Sequence, residues 1–170
     1  METTLLCAEH ALGLDESHLV QLPDSAHRLL PTTAQAFCLM QQAAHADGLD
    51  LALASSYRSF ARQQIIWDDK FNGQRPVLDG QSQPLDIRAW DDHARILAIL
   101  RWSALPGTSR HHWGSDMDIY APSLLPEGAS LRLEPWEYEA QGYFADLSLW
   151  LTQNMARFGF YRPFVEDCGG

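Results

Sequence analysis

Residues 106–119, Pro-Gly-Thr-Ser-Arg-His-His-Trp-Gly-Ser-Asp-Met-Asp-Ile, constrain the fold more than any other stretch of this chain. Pro106 and Gly107 break whatever helix precedes them, and Gly114 permits a backbone reversal that a residue with a Cβ resists. Beyond it, Met117 to Tyr120 reads as a short strand. The segment is therefore loop, turn and strand, with His111 at the end of the loop and Asp118 on the strand. Imidazole and carboxylate together suit two ligands of one zinc ion. Spacing alone is a weak signal, because seven histidines and 22 acidic residues produce such pairs by chance. A surface histidine beside a strand aspartate fits the same spacing.

The rest of the chain punctuates itself. Pro31-Thr-Thr opens a helical pattern with Ala34, Phe37, Cys38, Gln41 and Ala44 on one face, and Gly48 stops it. Leu49 to Ser55 alternates as a strand. Ser59 caps a helix running to about Phe71, with Ala61, Ile65 and Asp68 on one edge. Residues 72–90 read as loop. Asp91 or Asp92 caps a helix to about Trp102, with Ile96, Leu97, Ile99 and Leu100 as a broad apolar surface. Residues 122–142 read as irregular. Leu147 to Phe158 is helical and ends at Gly159, and Phe160 and Tyr161 begin another strand. This order predicts an α+β class: a small, mostly antiparallel sheet with helices packed on one side. One domain spanning 1–170, with residues 1–30 as an N-terminal extension, is the expectation for this length.

A content of 46% hydrophobic residues with six tryptophans describes a folded globule. The net charge of −10 argues against nucleic acid and anionic membrane as partners, since both select basic patches. Cys7, Cys38 and Cys168 form no CxxC pair and read as reduced thiols. No signal peptide and no segment of transmembrane length is visible, so the cytoplasm is the expected location.

Two motifs add specificity. Ser109-Arg-His111-His-Trp-Gly114-Ser-Asp-Met-Asp118 resembles the SxHxxGxxxD signature of the D-alanyl-D-alanine carboxypeptidases related to VanY and VanX, which share a fold with the Hedgehog signalling domain. Upstream, Ser55-Ser-Tyr57-Arg58-Ser59-Phe-Ala-Arg-Gln63 is similar to the S-x-Y-R-S…Q element of the same family. The motifs stand in the family order, and the resemblance covers about Leu51 to Tyr161. Asp116 departs from it, standing where the family carries a small apolar residue.

The resemblance implies that His111 and Asp118 bind Zn2+ and that Arg58 points into the cleft as the catalytic cation. It implies that Tyr57, Gln63 and Ser109 contact the substrate, a small cell-wall peptide ending in D-Ala that is cut with either D,D- or L,D-specificity. His112, next to the ligand, is expected to point elsewhere. The family's last element is a Glu and a His that follow the C-terminal helix. Glu134-Pro-Trp-Glu137 imitates it but precedes that helix and has no His, so it reads as a decoy. No histidine follows His112. The expectation is a zinc carboxypeptidase whose final ligand and base are missing, inactive in this form, with a cut sheet edge open to a second copy. The alternatives are a non-catalytic zinc-binding module of the same fold, and a metal-free α+β binding domain in which Arg58 and His111 line a groove.

Overall fold

The computed structural model describes residues 7–164. In chain order the elements are α1 (Ala8–Ala11), β1 (Val20–Gln21), β2 (Arg28–Leu29), α2 (Pro31–Ala46), β3 (Ala52–Ser55), α3 (Phe60–Phe71), β4 (Val77–Leu78), β5 (Pro84–Leu85), α4 (Asp92–Leu100), β6 (Asp118–Tyr120), α5 (Pro135–Tyr138) and α6 (Ala145–Asn154). Short 3-10 helices cover Arg110–Trp113, Pro122–Leu124 and Met155–Phe158. The class is α+β, and the strands form three separate two-stranded antiparallel ladders, β1–β2, β3–β6 and β4–β5. Among the described residues, no helix is long and apolar enough to cross a membrane.

The chain packs as two compact units. Of the described residues, the first holds 7–18, 58–113 and 162–164, and the second holds 19–57 and 114–161. In the second unit α2 begins at Pro31, whose fixed φ suits a first helical position. It buries Ala34, Phe37, Met40 and Ala44. These meet Leu51 of the segment leading into β3, together with Phe144, Leu147, Trp150 and Leu151 around α6. Each large side chain buried here stabilises the fold by about 1.5–3 kcal/mol. Trp150 donates its indole N–H to Asp47 at 2.7 Å, so its polar edge is satisfied as well.

In the first unit Ser59 caps α3, its hydroxyl accepting from the Arg62 amide. Asp91 caps α4 in the same way through the Ala94 amide. The small core is Trp67, Val77, Ile87 and Ile99. The predicted edge of α3 is corrected: Gln63 and Trp67 face inward, while Ile65 is 50% exposed. Gln63 takes the inward position because its amide finds two partners there. The broad apolar surface expected on α4 narrows to the buried Ile99 and the partly buried Ile96, with Leu97 and Leu100 exposed.

Three further expectations change. Residues 72–90 contain the β4–β5 hairpin; residues 14–30, in the expected N-terminal extension and its continuation, contain β1–β2. Two-residue ladders are too short to leave a period in the sequence. The stretch 122–142 contains α5. Phe160 and Tyr161 form no strand. Gly159 turns left-handed at φ 83°, and the Phe160 amide folds back onto the Met155 carbonyl at 3.1 Å. That closes the helix end. Cys7 and Cys38 are free thiols, and Cys168 lies outside the described residues.

Candidate active site

In the second unit, β3 and β6 pair Ala52 with Tyr120, Leu53 with Ile119 and Ser55 with Asp118, with a register shift between Leu53 and Ser55. The irregularity leaves Ser55 facing Asp118, and its hydroxyl donates to the Asp118 carboxylate at 2.5 Å. Gly114, upstream of β6, has φ 69°, and a Cβ there would run into Leu19. Its carbonyl accepts from the Leu30 amide at 2.8 Å, which ties the turn to the start of α2. The turn expected at Gly114 is present for both reasons, backbone conformation and close approach.

Two neighbours of this strand were not legible in the sequence. Tyr138 donates its hydroxyl to the Ile119 carbonyl at 2.9 Å. Burial, then the Glu137 and Asp118 carboxylates, push its phenol well above the usual range, so it remains a proton donor. Ser56 is buried and its hydroxyl lies 2.9 Å from His27 Nδ1. Tyr57 is half-buried, its amide bonded to the Arg28 carbonyl at 3.2 Å.

In the first unit, the 3-10 helix Arg110–Trp113 carries His111, half-buried, and His112, which is 0% exposed. The Arg58 amide donates to the His111 carbonyl at 3.1 Å. Arg58 and His111, 53 positions apart, are thus joined through the backbone. The Arg58 guanidinium donates from Nη1 to Gln63 Oε1 at 2.9 Å, and Gln63 Nε2 donates to the Ala104 carbonyl at 2.6 Å. Gln63 is 1% exposed. Both ends of its amide are engaged within the protein, an arrangement that holds Arg58. Ser109 is buried, and its carbonyl accepts from the His112 amide.

His112 has a defined tautomer. The Gly107 amide must donate, so Nε2 accepts from it at 3.0 Å. The Arg58 carbonyl must accept, so Nδ1 carries the proton and donates at 2.6 Å. Burial is the largest cause of its lowered pKa, partly offset by the bond to Arg58.

The Glu134–Glu137 segment is committed to structure. Glu137 is completely buried and accepts from the Arg132 and Glu134 amides, capping α5. Glu134 accepts from the Trp136 indole at 2.6 Å.

An imidazole and a serine-oriented carboxylate are the donor chemistry of a hydrolytic zinc site. His111, in the first unit, and Asp118, in the second, each carry one of these donor types. Among the described residues no group of three or more His, Cys, Asp or Glu side chains is gathered closely enough to hold a metal ion.

Comparison with known proteins gives one consistent answer. The sequence profile of the family described as "VanY: D-alanyl-D-alanine carboxypeptidase" matches residues 26–169. The chain is similar to a D-alanyl-D-alanine carboxypeptidase of Enterococcus faecalis, 30% identical over 125 residues. That match covers 74% of this chain and 37% of that protein, so the chain spans well under half of that relative's length. Its fold is similar to that of VanYB in complex with D-alanine-D-alanine, at TM-score 0.62 and 25% identity, covering 88% of this chain and 67% of the other. It is also similar to a mutant of the vancomycin-resistance D,D-pentapeptidase VanY in complex with Zn(II), at TM-score 0.61 and 27% identity, covering 89% of this chain and 70% of the other.

Proposed function

This chain belongs to the VanY family of D-alanyl-D-alanine carboxypeptidases, and on that premise we propose that it is a zinc-dependent carboxypeptidase acting on cell-wall peptides that end in D-Ala, by D,D- or L,D-cleavage. One observation carries the proposal. The two motifs stand in family order and are tied together at the Arg58 amide and the His111 carbonyl. A solved relative in complex with D-alanine-D-alanine and another in complex with Zn(II) support the substrate and the metal.

On this reading His111 and Asp118 are the metal ligands, and Ser55 orients the Asp118 carboxylate. Bound zinc supplies Lewis-acid polarisation of the scissile carbonyl and activation of a water. Arg58 presents a planar guanidinium to the peptide, where it pairs with the terminal carboxylate or steadies charge developing on the carbonyl oxygen. Gln63 holds that guanidinium in one orientation, which lowers the entropy lost on binding. Tyr57, beside Arg58 in the first motif, and Ser109, which opens the second, complete the substrate contacts on this reading.

A second reading is a zinc-binding module of the same fold without catalysis. Release of D-alanine from a synthetic D-Ala-D-Ala peptide, with and without added zinc and a chelator, tests the first reading. Zinc bound at one per chain without D-alanine release selects the second. Neither zinc binding nor release rejects both.

A further inference from the structure

We infer that His112 is a positioning residue that sets the placement of Arg58, and that the N-terminal residues 8–13 hold His112 in its seat. The inference rests on the reading of Arg58 as the residue that meets the substrate.

The geometry is a closed circuit within the first unit. The His112 ring joins two backbone groups that are distant in sequence, the Arg58 carbonyl at 2.6 Å and the Gly107 amide at 3.0 Å. The residue before it, His111, accepts from the Arg58 amide at 3.1 Å. Both polar groups of the Arg58 peptide backbone are therefore held by consecutive residues of one 3-10 helix. With the guanidinium fixed at Gln63, Arg58 is held at three points. A residue that must meet a peptide to within a fraction of an ångström needs such support, since a misplacement of about 1 Å costs on the order of 10²-fold in rate.

The ring's seat is equally specific. Gly13, at φ 73°, lies so close that a Cβ would stand 2.5 Å from His112 Nδ1 and 2.9 Å from the Phe60 amide nitrogen. That amide donates to the Gly13 carbonyl at 2.8 Å. The Gly13 backbone therefore covers the ring and is bonded to the first residue of α3. The family profile begins at residue 26, so this cover lies outside the part of the chain the family describes. The expected N-terminal extension is, over residues 8–13, part of the support of Arg58.

The chemistry of the two ring nitrogens supplies the test. Asparagine at 112 places an amide N–H near the position of Nδ1 and keeps the bond to Arg58. Glutamine reaches toward Gly107 and loses it. Steady-state rates on a D-Ala-D-Ala peptide are measured for His112→Asn, His112→Gln and Gly13→Ala, each alone and combined with Arg58→Ala, with thermal melts to check folding. His112→Gln and Gly13→Ala are expected to lower kcat about tenfold with KM changed less than about threefold. His112→Asn recovers most of that loss. In the Arg58→Ala background the second substitution adds less than about twofold, because the effect runs through Arg58. Equal losses for asparagine and glutamine, a folded His112→Asn variant with the full loss, or a loss that persists without Arg58 overturns the inference. If the unmodified chain releases no D-alanine, the functional reading fails and hydrogen exchange at the Arg58 amide decides the matter. Exchange about tenfold faster in His112→Gln and near the original rate in His112→Asn supports the inference. Unchanged exchange in His112→Gln overturns it.

Discussion

Ser55 and Asp118 are register partners on β3 and β6, and the Ser55 hydroxyl donates to the Asp118 carboxylate at 2.5 Å. A carboxylate has about four acceptor positions, so one short bond orients it without exhausting it. Ser55→Ala is expected to weaken zinc binding by about 10–100-fold while leaving the fold intact. Zinc titration of the two proteins measures this directly. Equal affinities would remove Ser55 from the metal site.

Arg58→Ala is expected to lower kcat by on the order of 10²-fold if the guanidinium steadies developing charge. Arg58→Lys does not restore the rate, since an ammonium on a flexible stem cannot reproduce a planar fork held by Gln63. Comparison of the three rates on one peptide checks both statements.

Gln63 bridges Arg58 and the Ala104 carbonyl from a position that is 1% exposed. Its replacement by leucine leaves the half-buried Ala104 carbonyl without this donor. The expected loss is about 1–3 kcal/mol of stability, with a lower kcat as well. Urea unfolding of Gln63→Leu measures the first part. A variant of unchanged stability would show that water takes over the bond.

Burial is the largest cause lowering the pKa of both His18 and His112. The folded imidazoles therefore bind a proton less readily than those of the unfolded chain, whose pKa is about 6.5. Below that pH the unfolded chain takes up more protons, so the stabilisation present above about 6.5 is lost as pH falls through the lowered folded values. Thermal midpoints are expected to be level between about pH 8 and 7 and to decline below about 6.5. Asp86, exposed and held down to about 2 by Arg88, adds its own loss only in stronger acid. A midpoint that stays level down to pH 5 would contradict this account.

Gly114→Ala meets two obstacles: a φ of 69° and the side chain of Leu19. The conformational part alone costs about 1–2 kcal/mol. The expected result is a clear drop in thermal midpoint together with weaker zinc binding, because the same turn leads into β6. A drop in midpoint without loss of zinc would separate the turn from the metal site.

The elements legible in the sequence are those with a physical start signal. Pro31, Ser59 and Asp91 each open the helix they announce. The hairpins at residues 20–29 and 77–85 escaped because each strand has two residues. The face of α3 was misread because Gln63 looks like a solvent residue until its two partners are known, and they lie five and 41 residues away. Phe160 and Tyr161 carry strand chemistry, yet the left-handed Gly159 turns the chain back onto the preceding helix. The motif residues were legible by type and order. The role of His112 was not, because it depends on Gly107, Arg58 and Gly13 meeting at one ring.

Within each unit the candidate residues bond across long stretches of chain, Ser55 with Asp118 at 63 residues and His112 with Arg58 at 54. Local helices form in microseconds, whereas contacts of this span must first overcome the closure entropy of long loops. A chain refolding from denaturant therefore regains its helical signal before it regains a competent site. A newly made chain that has not yet extended past His112 has the arginine motif but lacks the His111 carbonyl and the His112 ring that hold its backbone.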